Sequence, residues 1–388
     1  MTRSASFLGY PRPDGRVGIR NRVLIMAING LVAPAAGRIA AAVRPALLVT
    51  SPYGRGQFGA DKRAHAQQLI GLGRNPNVAA VLIVGADRMT ADGMAEQIRT
   101  SGKPTEVVAL DDVQEDALAL SLQGIRAAAR LVRNASRQRR EARAVSSLFL
   151  GVECGHSDAT SGLVANPLAG KVVDRLIDAG GTAVIGETLE WLGAEHLLAR
   201  RAATPAVAEA ITAAVQRREA AISASGVDPF HDNPGAENIR GGLSSIEEKS
   251  LGAIAKGGTR PIDGVLALAE APARAGLYFM DAPFFSPESL TGFAAAGAQV
   301  MLFTTGAGNS FCSAVAPTIK ISAKPETLAR LGEQIDFDAS PAFSGTEDLD
   351  HAADRLFSLL LDVASGFRTW GEILSESSES IARIGGSL

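Results

Sequence analysis

The run Arg22-Val23-Leu24-Ile25-Met26-Ala27-Ile28 is apolar at every position after the first. A strand with one wet face alternates polar and apolar residues, whereas an unbroken apolar run is covered on both faces. Working outward, similar runs recur at 46–50, 78–84 and 106–110. Ala-rich stretches of helical length separate them at 34–43, 61–73 and 90–100, and a longer one runs to about residue 134. Buried strands alternating with helices predict a doubly wound α/β domain on a parallel sheet.

The charged stretch 137–143 lacks apolar periodicity and marks an expected boundary. Residues 1–140 are expected to form a flavodoxin/Rossmann-like α/β domain and residues 141–388 a second α/β domain. In the second, a strand at 147–152 leads into a polar loop at 153–161, a helix near 167–179, a strand at 182–185 and a helix near 190–200. Segment 226–242, rich in Pro, Gly, Asp and Asn, reads as a long loop, a kind that is often functional. Ser244 and Glu247 have capping-box spacing. Strands follow at 264–268, 277–280, 299–303 and 317–321, and an amphipathic helix at 349–365.

Hydrophobic residues make up 46% of the 388 and aromatics 5%, so large cores are possible but Ala, Val, Leu and Ile must fill them. The formal net charge of −3 gives no nucleic-acid footprint, which needs a clustered basic excess. The basic run 133–143 reads as a solvated helix face. Cys154 and Cys312 are too few for a disulfide framework, so a reduced, cytoplasmic chain is expected. No leader pattern opens the chain, and no apolar run is long enough to predict a membrane span.

Gly54-Arg55-Gly56-Gln57-Phe58-Gly59 matches G-x-G-x-x-G, but it follows the second strand rather than the first, so NAD is not expected. An anion held with help from Arg55, or a plain turn, are the open readings. Arg12 to Asn21 carries Arg16, Arg20 and Asn21, suited either to carboxylate recognition or to a solvated arm. The densest polar cluster is Glu153-Cys154-Gly155-His156-Ser157-Asp158. It follows a strand, where α/β folds build sites, and offers metal-ligand or acid–base groups. Glu187 follows the next strand toward the same rim, and His196 lies farther along. Thr304-Thr305-Gly306-Ala307-Gly308 can present N–H and hydroxyl groups to an anion. Lys320 is either a carboxylate ligand or an edge-strand charge.

Several segments together resemble the altronate/galactarate dehydratase family, which includes the large subunit of (2R)-sulfolactate sulfo-lyase. They are Gly9-Tyr10, Asp14-Gly15-Arg16, Arg20-Asn21, Cys154-Gly155 with Ser157-Asp158 and Ser161-Gly162, and Ala165-Asn166-Pro167. Further on come Glu187-Thr188 with Glu190, Gly193-Ala194-Glu195-His196, Glu247-Glu248-Lys249-Ser250 and Phe303-Thr304-Thr305-Gly306. Their order matches, over about residues 7–338. The family commonly has cysteines near where this chain has Asn29-Gly30, Gly54-Arg55-Gly56 and Gly85-Ala86-Asp87. After Cys154 a second glycine is replaced by His156, and Ala307 stands where an arginine usually follows the Thr-Thr-Gly. These departures bear on the iron dependence of altronate dehydratases and on the substrate.

The resemblance implies a lyase that needs a divalent metal, Fe2+ among the candidates. Because Gly9-Tyr10 stands so near the start, it also implies a separately encoded small SAF-domain subunit, and a homo-oligomer is expected. A base removes the C2 proton of a small hydroxy acid, a C3 group leaves, and the enol becomes a 2-keto acid. Cations must stabilise the second charge built on the carboxylate, and an acid must protonate a departing hydroxide, though sulfite needs less help. The expected catalytic residues are Cys154, His156, Asp158, Glu187 and His196, with Cys154, His156 and Glu187 as metal ligands. The expected substrate ligands are Arg16, Arg20, Asn21, Arg55, Thr304, Thr305, Gly306 and Lys320. A sugar-acid dehydratase is the leading expectation, with sulfolactate sulfo-lyase and a non-catalytic scaffold as alternatives.

Overall fold

A computed structural model describes residues 6–224, 226 and 233–383. Near the N-terminus, β1 (Ser6–Pro11) and β2 (Val17–Gly18) pair antiparallel. Four parallel strands follow: β3 (Arg22–Ala27), β4 (Leu47–Thr50), β5 (Val78–Gly85) and β6 (Thr105–Ala109), in the spatial order β4-β3-β5-β6. Alternate residues of β3 enter opposite cores, as a period of two requires. Val23, Ile25 and Ala27 pack with Ala36, Ile39, Leu120 and Leu131 from the helices Ala33–Ala42 and Ala117–Ala135. Leu24 and Met26 pack with Leu69, Leu72, Ala95 and Ile98 from the helices Gly59–Arg74 and Arg88–Arg99. The sheet is wound on both faces as the apolar runs demand.

β7 (Glu141–Ala144) returns to β1 within the stretch expected to be a boundary, so a small three-stranded sheet, β2-β1-β7, takes strands from before and after the first large sheet. The second sheet contains β8 (Phe149–Cys154), β9 (Thr182–Ile185), β10 (Ile262–Ala267), β11 (Gly276–Asp281) and β12 (Val300–Thr304). After the short β13 (Cys312–Ser313), β14 (Thr318–Ser322) and β15 (Phe337–Asp338) complete it. All its pairings are parallel, in the order β10-β11-β9-β8-β12-β14-β15.

One face of this sheet packs on the helices Asn166–Asp178 and Leu349–Ser365 through Leu168, Val172, Leu356 and Leu360. The other packs on the helix Ser286–Ala296, whose Leu290 and Phe293 share a core with Leu69 and Leu72 of the first sheet's layer. That helix and Gly59–Arg74 approach so closely that a Cβ on Gly71 would lie 2.3 Å from the Ala295 carbonyl oxygen. The junction is sealed by buried amides. Asn75 Nδ2 donates to the carbonyls of Ala294 and Ala298, and Asn77 Nδ2 to those of Gln299 and Val315.

Three local expectations change. The helix expected near 190–200 is a 3-10 turn, Thr188–Trp191, and a short helix, Glu195–Ala199, separated at Gly193, whose φ is +80°. The cap of the helix Ile246–Ile254 is Ser245 rather than Ser244, and Glu248 rather than Glu247 reaches back, to Ser244. The expected loop 226–242 contains a helix, Ala236–Arg240, while residues 227–232 lie outside the described ones.

Arg20 joins the ends of the chain. Its Nε and one Nη donate to the two Glu372 oxygens at 2.7 Å each, and its other donors go to the carbonyls of Ile19, Val363 and Phe367. All five guanidinium donors are thereby satisfied in a buried site. Arg20→Leu leaves the Glu372 carboxylate poorly compensated and is expected to cost about 3 kcal/mol of stability. Urea denaturation of the two proteins measures it, and an unchanged midpoint would contradict this role.

Candidate active site

β8 lies where the chain's path across the second sheet divides. From β8 it goes on to β9 on one side and only later to β12 on the other, a topological switch point at whose carboxyl edge α/β proteins bind ligands. Pairing places Thr304 opposite Cys154 and Val152 opposite Ile185, so the three strand ends meet. A cavity of about 660 Å³ opens there. Cys154, Glu187 and Glu190 line it, along with the turn Gly155-His156-Ser157, Asn238 and Lys249, and the exposed rings of Phe284 and Phe285 stand at its wall.

A compact charged cluster forms one part of that wall. One donor atom each from Glu153, Cys154 and Glu190 lie within 4.8 Å of one another, all buried, a spacing that could hold a metal ion. The Lys256 ammonium is at the same place. Its Nζ is 2.7 Å from Glu153 Oε1 and 3.2 Å from Cys154 Sγ, and it also contacts Glu190 Oε2. The far oxygen of Glu153 accepts from Ser289 at 2.7 Å. Burial raises the Glu153 carboxyl against the pull of Lys256. Burial and the neighbouring Glu190 push the Cys154 thiol up, so it keeps its proton. Burial opposes the Lys256 charge too, but the surrounding acidic groups outweigh it and hold the ammonium well above its ordinary value.

Glu187 is the member partnered on one side only, by the Ser286 hydroxyl. Its backbone is left-handed at φ +55°, its side chain is buried, and Oε1 has no hydrogen-bond partner. Burial first, then the nearby Glu153 and Glu190, raise its carboxyl well above the ordinary range. A carboxyl kept neutral by its surroundings is the profile of a general acid.

His156 is exposed on the same cavity, also left-handed at φ +50°. Its Nδ1 lies 2.8 Å from the Gly308 carbonyl oxygen. A carbonyl only accepts, so Nδ1 carries a proton, and in the neutral ring Nε2 is the nitrogen with the lone pair. The N–H groups of Gly306 and Ala307 donate back to the His156 carbonyl. The 304–308 loop thus grips His156, while Asn309 and Ser310 beyond it reach the cavity. Asp158 builds the turn: its Oδ1 accepts from Thr160 N and Oγ1 and from Ser161 N, and Oδ2 pairs with Lys324 at 3.2 Å. Gly306 leaves room for it, since a Cβ there would lie 2.2 Å from the Asp158 carboxyl carbon.

The structure therefore gathers Cys154, His156 and Glu187 at one cavity, with Asp158, Thr304, Thr305 and Gly306 behind it. Thr304 Oγ1 bonds Asn166, and Thr305 Oγ1 accepts from Gly308 N. Lys320 is buried and reaches the cavity only through its partner Glu376. The remaining expected residues lie elsewhere. Arg16 pairs with Asp14 and borders a different cavity, Arg20 is taken by Glu372, and Asn21 bonds Arg12 and Ala135. Arg55 sits on an exposed turn of the first sheet near Asp87, and His196 on an exposed helix. Glu153, Glu190 and Lys249 stood in the quoted segments without a site role, and Lys256 was passed over. The signal for Lys256 was a lone lysine before Gly257-Gly258 in an apolar helix end.

Residues 145–386 match the family described as D-galactarate/Altronate dehydratase, C-terminal, and residues 9–136 match D-galactarate dehydratase/Altronate hydrolase, second domain. The chain belongs to this dehydratase family, a family of lyases. It is 39% identical to (2R)-sulfolactate sulfo-lyase subunit beta of Chromohalobacter salexigens, over 98% of each chain. It is 31% identical to altronate dehydratase of Bacillus subtilis, over 93% of this chain and 74% of that one. It is 31% identical to galactarate dehydratase (L-threo-forming) of Escherichia coli, over 77% of this chain and 55% of that one. Among the described residues no helix is long and apolar enough to cross a membrane.

The raised Glu187 carboxyl has a consequence for stability. Above the ordinary value of 4.5 the unfolded chain gives up this proton while the folded chain retains it. Stability attributable to Glu187 therefore falls as pH rises from there toward the raised folded value. Glu187→Gln is expected to gain thermal stability over wild type from about pH 5 to about pH 8. Melting temperatures across that range test it, and a constant difference would refute it.

Proposed function

We propose that this chain is the chemistry-bearing large subunit of a lyase that removes the C2 proton of a small 2-hydroxy acid and expels its C3 group, leaving a 2-keto acid. The observation that carries this reading is one cavity with an available imidazole nitrogen at its exposed turn and a neutral carboxyl at its buried end. His156 Nε2 takes the C2 proton. Lys249 receives the substrate carboxylate: two of its three N–H groups have acceptors among the described residues, Asn233 and Asn238, and its Nζ lies 4.7 Å above the Phe284 ring. It offsets the second negative charge that develops as the proton leaves. Glu187 gives its proton to a departing hydroxide, or stands as an uncharged neighbour to a departing sulfite.

The match over nearly the full length of both chains to a sulfo-lyase subunit supports sulfite as the leaving group, with (2R)-sulfolactate as substrate. Dehydration of a sugar acid is the second reading, supported by the altronate and galactarate relatives. That relative's designation as a subunit supports a separate partner, here proposed to be a small SAF-type subunit, with a homo-oligomeric assembly in the cytoplasm. The divalent metal implied by the resemblance, Fe2+ or another, finds suitable donor spacing only at Glu153, Cys154 and Glu190 among the described residues. As arranged, those donors hold Lys256 instead, and an ion does not fit beside it.

His156→Ala, purified folded and supplied with the small subunit, is expected to lower kcat by about 10²–10⁴-fold. Sulfolactate turnover is expected to release sulfite and pyruvate in equal amounts, read by a thiol-exchange sulfite assay beside a keto-acid assay. Keto acid formed from altronate or galactarate, without turnover of sulfolactate, would instead select the dehydratase reading. Glu187→Gln is expected to impair hydroxide loss more than sulfite loss.

A further inference from the structure

We propose that the Lys256 ammonium is the resident cation of the Glu153–Cys154–Glu190 cluster, and that the cluster accepts a divalent ion only when Lys256 is removed. This concerns the charge at the cavity wall and stands whether or not the reaction is the one proposed above.

The first ground is position. Metal–oxygen and metal–sulfur bonds run roughly 2.0–2.3 Å. An ion so bonded to these three donors would lie on the ammonium or within about 3 Å of it. Two cations that close in a site excluding water repel strongly.

The second ground is that the lysine cannot withdraw. Its side chain is 1% exposed. The backbone on either side is pressed onto the helix Asn166–Asp178, where a Cβ on Gly170 would lie 2.2 Å from the Ala255 carbonyl oxygen and 2.9 Å from Gly258 N. A Cβ on Gly257 would already be 3.0 Å from the Phe279 ring. Gly258 turns the chain away at φ +60°. The glycines let the segment lie this low, and the lysine has one direction left, toward the acids.

The third ground is completeness. Lys256 Nζ has a partner on each of its three sides, Glu153, Cys154 and Glu190, so its three donors match three acceptors. Its charge holds Glu190 and Cys154 at the cavity wall, which makes Lys256 a positioning residue rather than one that touches substrate.

Cobalt(II) reports the outcome, because a cobalt–thiolate bond gives a near-ultraviolet charge-transfer band. Purified full-length wild type, Lys256→Ala, Lys256→Met and Cys154→Ala are titrated with Co2+ alone, with circular dichroism to confirm folding. The wild type is expected to show no thiolate band. A folded Lys256 variant is expected to show it and to bind Co2+ at least about a hundredfold more tightly, the sign expected on losing a like charge at such short range. A wild-type band that disappears in Cys154→Ala overturns the proposal. So do folded Lys256 variants that show no band. If neither Lys256 variant folds, the comparison of wild type with Cys154→Ala decides alone. Turnover does not enter, so failure of the lyase reading leaves this result intact.

Discussion

A buried ammonium facing two carboxyl groups and a thiol is the constraint around which this site is organised. Taking Lys256, Glu153 and Glu190 out of water costs several kcal/mol for each ion, and their attraction repays this only with close geometry and full hydrogen bonding. Both conditions are met here, with Ser289 taking the far oxygen of Glu153. One lysine cannot balance every acidic group nearby. Burial first, and then the nearby Glu153 and Glu190, raise the carboxyl of Glu187, which is partnered on one side only. The raised Glu187 carboxyl is thus a product of its burial and of the acidic groups beside it.

The part of the first parallel sheet and its helices in this is mechanical. The helix Ser286–Ala296 supplies two of the site's hydrogen bonds, Ser289 to Glu153 and Ser286 to the Cys154 carbonyl. Its far end is fixed by Asn75 through Ala294 and Ala298, and its flank by the glycine contact at Gly71. Asn77 holds Gln299 and Val315 while accepting from the N–H groups of Ile19 and Arg20. The junction is apolar inside and amide-sealed where backbone groups would otherwise be buried unsatisfied. A doubly wound domain can in this way serve as a brace without contributing a side chain to the cavity.

The strands were legible because they are buried on both faces, and such runs need no knowledge of their partners. Thr182–Ile185 and the terminal helix Leu349–Ser365 fall where the pattern predicts. The turn at Cys154–Asp158 was legible because its polar residues are adjacent in the chain. Lys256 was not, since it lies 102 residues from Cys154 and 66 from Glu190, and in sequence is one lysine at a helix end. Arg20 misled for the matching reason. An arginine near the N-terminus suggests an anion, but the anion it binds is Glu372, 352 residues on. Hydrophobic period reports what is local, and charge pairing across the fold does not leave a local trace.

The polarity of the cavity also orients a substrate. Its buried end is lined by Glu190 and the neutral Glu187, with Glu153 and Lys256 behind them, while Lys249 stands elsewhere on the lining, the side a substrate carboxylate takes in the proposed reaction. In the proposed reaction that orientation puts C2 toward His156 and C3 toward Glu187. The left-handed backbone at both residues is a cost a fold carries only where surrounding contacts enforce it. At His156 the enforcing contacts are the paired hydrogen bonds with residues 306–308. In this proposal a hydroxyl at C3 needs Glu187 as a proton donor. A sulfonate at C3 needs it merely uncharged, because a second anion beside Glu190 would expel the group before reaction. Both proposed chemistries thus draw on the same neutral carboxyl of this chain.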